Sequence, residues 1–264
     1  MEALVLMYHQ IVPDGAPDGW VPAPLADPRY GVTRLEFARQ MTYLREEGYT
    51  LLPLGALFSG ETAEIPRASA SGRPAVVVTF DDGYASDLAL AMPILARLGI
   101  PATFFVTTGH IGAPGMLSEK GVAELAARPL FRIGGHGESH RFLSELSESE
   151  CRSELVASFD RIRTLTGQET AEMSAPGGRT SPLVAALARR AGFLALATSR
   201  PGLHYPAADP FFLPRLPILR RHTFRDFSAL LDPRSRTHRV NEWIRSAKQA
   251  ARSALRILSP GKGG

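Results

Sequence analysis

The sequence predicts a parallel α/β fold closed into a barrel, and three observations point there. Apolar strand-like segments alternate with helical stretches about seven times along the chain without an internal repeat, the order that builds a parallel sheet covered by helices. Ala75-Val76-Val77-Val78 is a β-branched run of the kind buried on both faces of such a sheet. No glycine-rich dinucleotide fingerprint follows the first strand-like segment, which favours barrel closure over an open doubly wound sheet. A chain of 264 residues suits one such unit.

Taken in order, residues 3–7 read as a first strand ending in Tyr8-His9, and a proline- and glycine-rich loop follows over residues 11–31. Thr33 with Glu36 makes a capping box for a helix marked by Phe37, Met41 and Leu44, which Gly48 stops. Residues 49–54 read as a second strand, 61–74 as a polar loop and 75–80 as the buried strand. Leu88, Met92, Leu95 and Leu98 fall on one helical stripe, with a kink expected at Pro93 and an end at Gly99. Residues 102–106 form a strand, 118–127 a helix, and 130–133 another strand. Ser147 with Glu150 opens a helix whose apolar positions are Cys151, Leu155, Phe159 and Ile162, so Cys151 reads as core. A strand end at 172–175, a helix from Ser181-Pro182 to Arg190, and strands at 193–198 and 211–218 complete the series.

Charge divides the chain at about residue 231. Residues 232–264 carry eight Lys or Arg against Asp232 and Glu242, a net of +6, which leaves 22 basic and 24 acidic residues, a net of −2, in 1–231. The basic character therefore belongs to the tail and says nothing of the main domain's substrate. The expected organisation is a barrel over 1–231 and a basic amphipathic extension over 232–264, in which Trp243, Ile244, Ala247, Ala251, Leu255 and Leu258 share a face. That face suits either an anionic membrane surface or the end of the barrel. No apolar run reaches membrane-spanning length, and Met1-Glu2 leads straight into the first strand without a secretory signal core. The expected location is cytoplasmic, with peripheral contact at the inner membrane surface. Cys151 is the single cysteine, so no intramolecular disulfide forms.

Chemistry concentrates at two loops. Thr79-Phe80-Asp81-Asp82-Gly83 puts two adjacent carboxylates where a buried strand opens, and Ile133-Gly134-Gly135-His136-Gly137-Glu138-Ser139-His140 puts two imidazoles four residues apart after another. In a parallel α/β fold these are the C-terminal ends of strands, where ligands bind. An Asp with two His suits zinc or a similar divalent ion with open positions for water and substrate. His9 reads equally as a pocket residue or a structural one, and His110, His204 and His238 as loop residues.

These residues make the chain resemble the polysaccharide deacetylase family, the NodB-homology or carbohydrate esterase family 4 enzymes. The likeness runs over about 4–219 and includes Tyr8-His9, the 79–83 motif, Pro101-Ala102-Thr103-Phe104-Phe105-Val106 and the histidine motif. It implies a distorted (β/α)7 TIM-like barrel and a metal-dependent hydrolase removing N-acetyl groups from a sugar of a polysaccharide or its precursor, with metal-bound water as nucleophile. Carried over, Asp81 is the general base, and Asp82, His136 and His140 are ligands of a divalent ion, Zn2+ with Co2+ or Ni2+ as alternatives. A backbone N–H near Gly177 is the oxyanion donor. The implied partner is an N-acetylated oligo- or polysaccharide and not nucleic acid.

The chain departs from the family pattern at three places. Gly137 stands where a loop-stabilising Ser or Thr follows the first histidine. Ser174 and Gly177 stand where the family carries an arginine that orients the base and an aromatic residue, leaving Arg179 and Arg215 as candidates for the arginine. The segment 212–218 lacks the late histidine that acts as general acid, and His222 is nearest. Alternative readings are a non-catalytic metal- or carbohydrate-binding homologue, and another amide or ester hydrolase on the same barrel. Trp20, Tyr30, Tyr84 and Tyr205 are the aromatic loop residues available to a sugar.

Overall fold

The computed structural model describes residues 2–16, 26–58, 73–169 and 171–232. The extension from 233 onward, most of the 61–74 loop, and Trp20 lie outside the described residues.

Seven parallel strands form one curled sheet: β1 (Ala3–Tyr8), β2 (Ala75–Phe80), β3 (Ala102–Val106), β4 (Phe131–Gly135), β5 (Met173–Ser174), β6 (Leu196–Ala197) and β7 (Leu216–Pro217). Their order is β6-β5-β4-β3-β2-β1-β7. β1 and β2 pair over their whole length, Ala3 beside Ala75 through Tyr8 beside Phe80. The sheet closes through one stretch of chain. Leu213 bridges to Ala197, and three and four residues later Leu216 and Pro217 pair with Leu6 and Met7. The expected (β/α)7 barrel is therefore observed. Its distortion has a cause in composition, since Pro210, Pro214 and Pro217 cannot donate to a ladder and cut the last strand to two residues.

Alternation along the strands sorts the core. Leu4, Leu6, Val76, Val78, Phe80 and Phe104 face the helices, while the barrel interior holds Ala3, Val5, Ala75, Val77 and Phe105. Continuing the inner row upward leads through Thr79 to Asp81.

Among the described residues six helices cover the outside: α1 (Arg34–Glu46), α2 (Met92–Leu98), α3 (Glu119–Ala126), α4 (Glu148–Thr166), α5 (Pro182–Ala191) and α6 (Phe224–Leu230). The Ser147/Glu150 capping box is present in full, whereas Thr33 accepts only the Glu36 N–H. The kink expected at Pro93 takes the form of a π-helical turn, Asp87–Ala91, running into α2. A proline cannot donate to the carbonyl four residues back and clashes with it, and a wider turn relieves both problems. Gly99, at φ 63°, ends the helix as expected. Cys151 is buried on α4, where burial and then Glu154 push its thiol pKa up to about 11. The strand expected over 49–54 is reduced to one bridge, Leu51 to Val76, before a 3₁₀ turn at Leu54–Leu57. Pro53 has no N–H to extend the pairing.

β4, which delivers the first histidine of the site, requires glycine at its end. A Cβ on Gly134 would lie 2.5 Å from Phe105 Cδ1 and 2.7 Å from the Glu172 carbonyl oxygen, and the latter cannot swing away. Gly134→Ala is expected to destabilise the fold by about 1–3 kcal/mol through overpacking, measured as a lowered midpoint at unchanged slope in urea unfolding.

Candidate metal centre and catalytic carboxylate

Asp81 and Asp82 are consecutive and buried, yet their surroundings differ completely. Asp81 continues the inner row of β2 and meets Arg215, from the stretch that closes the barrel. Arg215 Nη1 donates to Asp81 Oδ1 and Nη2 to Oδ2, both at 2.7 Å, a bidentate fork. The rest of the guanidinium is also satisfied: Nε donates to the Thr198 carbonyl at 2.9 Å, Nη2 to Ser174 Oγ at 2.7 Å and Nη1 to Thr79 Oγ1 at 3.2 Å. Ser174 Oγ in turn donates to Asp81 Oδ2. Burial alone would raise the Asp81 pKa, but Arg215, followed by His136, outweighs it and holds the carboxyl below its usual range. Asp81 is an ionised carboxylate fixed in orientation, the state a base needs.

Asp82 turns the other way because its backbone does. Its φ is +79°, and His140 has φ +63°; among the described residues these two are the non-glycine positions with left-handed backbone. Such strain clusters where surrounding structure holds a functional geometry. Asp82 Oδ2 accepts the Tyr84 hydroxyl at 2.9 Å, while Oδ1 is buried with no hydrogen-bond partner among the described residues and lies 3.3 Å from both His136 Nε2 and His140 Nε2. His136 Nδ1 sits 2.9 Å from the Ser174 carbonyl oxygen, which can only accept. The proton is therefore on Nδ1 and the Nε2 lone pair faces Asp82.

The residues present fit a divalent cation. The three donor atoms lie within 4.8 Å of one another, and donors on a tetrahedral ion at about 2.0–2.2 Å stand roughly 3.3–3.6 Å apart. The orphaned Asp82 Oδ1 is the group such an ion would satisfy. Two imidazoles and one carboxylate suit zinc and its neighbours better than calcium or magnesium. His140 keeps a quarter of its side chain exposed, so the cluster opens on one side.

Arg215 is thus the residue that grips the base, and Arg179 is not: it pairs with Glu145 and lies 4.2 Å over the Phe142 ring. Gly177 sits in the 3₁₀ turn Pro176–Gly178 at φ +62°, where a Cβ would come 2.6 Å from Phe142 Cε1. An aromatic ring consequently stands beside Gly177, supplied by the histidine loop. His222 is engaged elsewhere, its Nδ1 accepting the Leu219 N–H. His9 is in the site. It is partly exposed, stacks on Tyr30 at 4.1 Å, and has Nδ1 buried with no partner among the described residues. Burial lowers its pKa below the ordinary value, outweighing the upward pull of Asp82 and Asp81. Tyr84, read from sequence as a loop aromatic for sugar, is instead buried against Met116 and spends its hydroxyl on Asp82. Tyr205 is half exposed, and His204 is buried beside Ala3 at the opposite end of β1.

Removing Arg215 would leave the buried Asp81 charge uncompensated. Arg215→Met is expected to cost about 3–5 kcal/mol at neutral pH. The stability that the depressed Asp81 pKa supplies is present above the ordinary carboxylate value of about 3.9 and is lost as pH falls through the native value. The wild-type advantage over the mutant should therefore shrink on acidification, and should also be smaller in an Asp81→Asn background. Urea unfolding of the four proteins of this cycle checks both.

Residues 68–196 match the family model described as polysaccharide deacetylase. YxkH of Bacillus subtilis (strain 168) is 28% identical over 199 residues, covering 75% of this chain and 64% of YxkH. The poly-beta-1,6-N-acetyl-D-glucosamine N-deacetylase of Staphylococcus aureus (strain MRSA252) is 28% identical over 127 residues, covering 46% of this chain and 42% of that protein. The chain thus spans less than two-thirds of the length of these relatives. Among solved structures, IcaB from Ammonifex degensii superposes with a TM-score of 0.72 at 25% identity, over 87% of this chain and 95% of that one. The Streptococcus pyogenes deacetylase PplD shares the fold, with a TM-score of 0.74 at 23% identity over 88% of this chain and 99% of its own. With the barrel, the paired carboxylates and the two histidines already in place, these matches show that residues 68–196 carry a polysaccharide deacetylase domain.

Proposed function

We propose that the protein is a metal-dependent hydrolase that removes N-acetyl groups from N-acetylglucosamine units of a polysaccharide or its precursor. The observation that carries this reading is the division between Asp81, locked by Arg215 and free to act as a base, and Asp82, whose open oxygen faces two imidazoles. A metal-binding scaffold has no need of the first, and a non-catalytic homologue has no need to keep a buried charge pair beside the second. The names of the staphylococcal relative and of PplD support the reaction class, and the first supports the sugar.

Asp82, His136 and His140 would hold the ion, which when bound polarises the acetyl carbonyl and makes water a nucleophile at neutral pH. Asp81 takes the proton of the attacking water. Arg215 keeps both carboxylate oxygens in place and its own charge neutralises the pair, so that Asp81 can reload without reorienting. The backbone N–H at Gly177 is assigned to the developing oxyanion, with Phe142 closing that side against water.

The departing amine needs a proton, and His9 is assigned to supply it. The ring is partly exposed with Nδ1 buried, and although both carboxylates pull its pKa up, burial outweighs them and leaves it below the ordinary value, so it must gain a proton before it can donate one. It follows the first strand directly, and in this reading it stands in for the histidine that the segment 212–218 lacks.

Acetate release from N-acetylglucosamine oligomers, with zinc, cobalt or nickel restored after chelation, tests the reading. Asp81→Asn is expected to lower kcat at least about 100-fold with metal still bound, and an undiminished rate in that variant would remove Asp81 from the mechanism. His9→Gln is expected to slow amide hydrolysis by about 10²–10⁴ and an aryl acetate much less, since a phenolate leaves without a proton. Equal losses on the two substrates would reassign His9 to a structural role.

A further inference from the structure

The loop 136–140 carries two of the three cluster residues, and its second histidine is held in left-handed backbone. What holds it is visible on both sides. The Gly137 carbonyl accepts the Thr108 N–H at 3.1 Å, and the Glu138 carbonyl accepts the Gly109 N–H at 2.8 Å. The loop's donors go instead to one side chain from a helix outside the barrel. Glu154 of α4 is 6% exposed, and its Oε2 accepts the N–H groups of Glu138 and Ser139, each at 2.9 Å. Its Oε1 accepts the Ser139 hydroxyl. Three donors from two consecutive residues thus converge on one buried carboxylate, which fixes the two peptides leading into Ser139, the residue before His140.

Glycine at 137 admits this arrangement. Its φ is +76°, and a Cβ there would approach Glu154 Oε2 to 3.3 Å. The helix is a firm base for the contact, with Cys151, Leu155, Ser158 and Phe159 buried around Glu154 and its N-terminus closed by the Ser147/Glu150 box. No reacting atom is within reach of Glu154, whose oxygens are spent on the loop.

We propose that Glu154 is the positioning residue of the metal centre: its carboxylate holds the backbone of 138–139 so that His140 Nε2 faces Asp82, replacing the hydroxyl that Gly137 lacks. This rests on the reading of Asp82, His136 and His140 as a metal site. Loss of Glu154 leaves the Glu138 and Ser139 N–H groups without their acceptor, so its effect on metal affinity is read against its effect on stability. Among the residues of 136–140, it makes His140 the ligand most exposed to loss, since His136 is held independently by the Val106 and Ser174 carbonyls.

Co2+ titration of the full chain, read by visible absorption, tests the proposal alongside thermal unfolding of the metal-free protein. Glu154→Ala is expected to weaken Co2+ binding about 10–100-fold and to change the ligand-field spectrum, with at most a modest drop in the metal-free unfolding midpoint. The amide of Glu154→Gln can keep its oxygen on the two N–H groups and turn its NH2 to the Ser139 hydroxyl, which can accept, so this variant should retain most of the affinity. Ser139→Ala, which removes one of the three bonds, should fall between Glu154→Ala and the wild type. Wild-type affinity and spectrum in folded Glu154→Ala would overturn the proposal, as would a lowered midpoint with unchanged affinity. Should Glu154→Ala fail to fold, Glu154→Met, which keeps the volume without an acceptor, and Ser139→Ala decide the matter by the same readout. The metal reading fails separately if the wild type takes up no Co2+, or if His140→Ala binds it as the wild type does, and the role of Glu154 then falls with it.

Discussion

A guanidinium and a carboxylate, 134 residues apart in sequence and both removed from water, hold the top of this barrel together. Neither charge could be buried alone at tolerable cost. Arg215 satisfies its donors on groups from β2, β5 and the end of β6, so the last stretch of chain must come back to the first motif. The closing strand pairs over only two residues and cannot be held by its ladder alone. Closure of the barrel and orientation of Asp81 are therefore one event.

The same logic explains which parts of the molecule were legible in the sequence. The 75–80 strand, the capping box at Ser147 and the stop at Gly99 are local: period, cap and left-handed glycine each act within a few residues. Asp82, His136 and His140 were legible because two short motifs each carry their chemistry in adjacent positions, and the structure brings them together. Arg215 could only be named as one of two candidates, since its selection over Arg179 depends on a fold-back across the whole barrel. Glu154 gave no signal, being one glutamate among several on a helix, and its partners are backbone groups, which carry no sequence identity. Tyr84 was misplaced because a tyrosine after Asp-Asp-Gly reads as loop, whereas the left-handed backbone at Asp82 swings the chain inward. The strand expected over 49–54 failed for a shorter-range reason, a proline whose missing donor outweighs the apolar pattern.

The two aspartates show how environment divides chemically identical neighbours. Both have pKa values below the usual range, so both are charged at neutral pH although they are adjacent and buried, a pairing that would normally raise one of them. Arg215 accounts for one charge. With both imidazoles neutral, the buried set of Asp81, Asp82 and Arg215 still carries a net of −1. Burial would lower the His136 pKa, yet Asp81 and Asp82 raise it above its ordinary value, which is the same imbalance seen from the histidine side. A positive charge is called for at the Asp82 face, and a proton on imidazole or a divalent cation can each supply it. The two must compete for the same Nε2 lone pairs, since a protonated ring cannot ligate. The surplus negative charge that makes this site costly to bury is thus also what makes it select a cation.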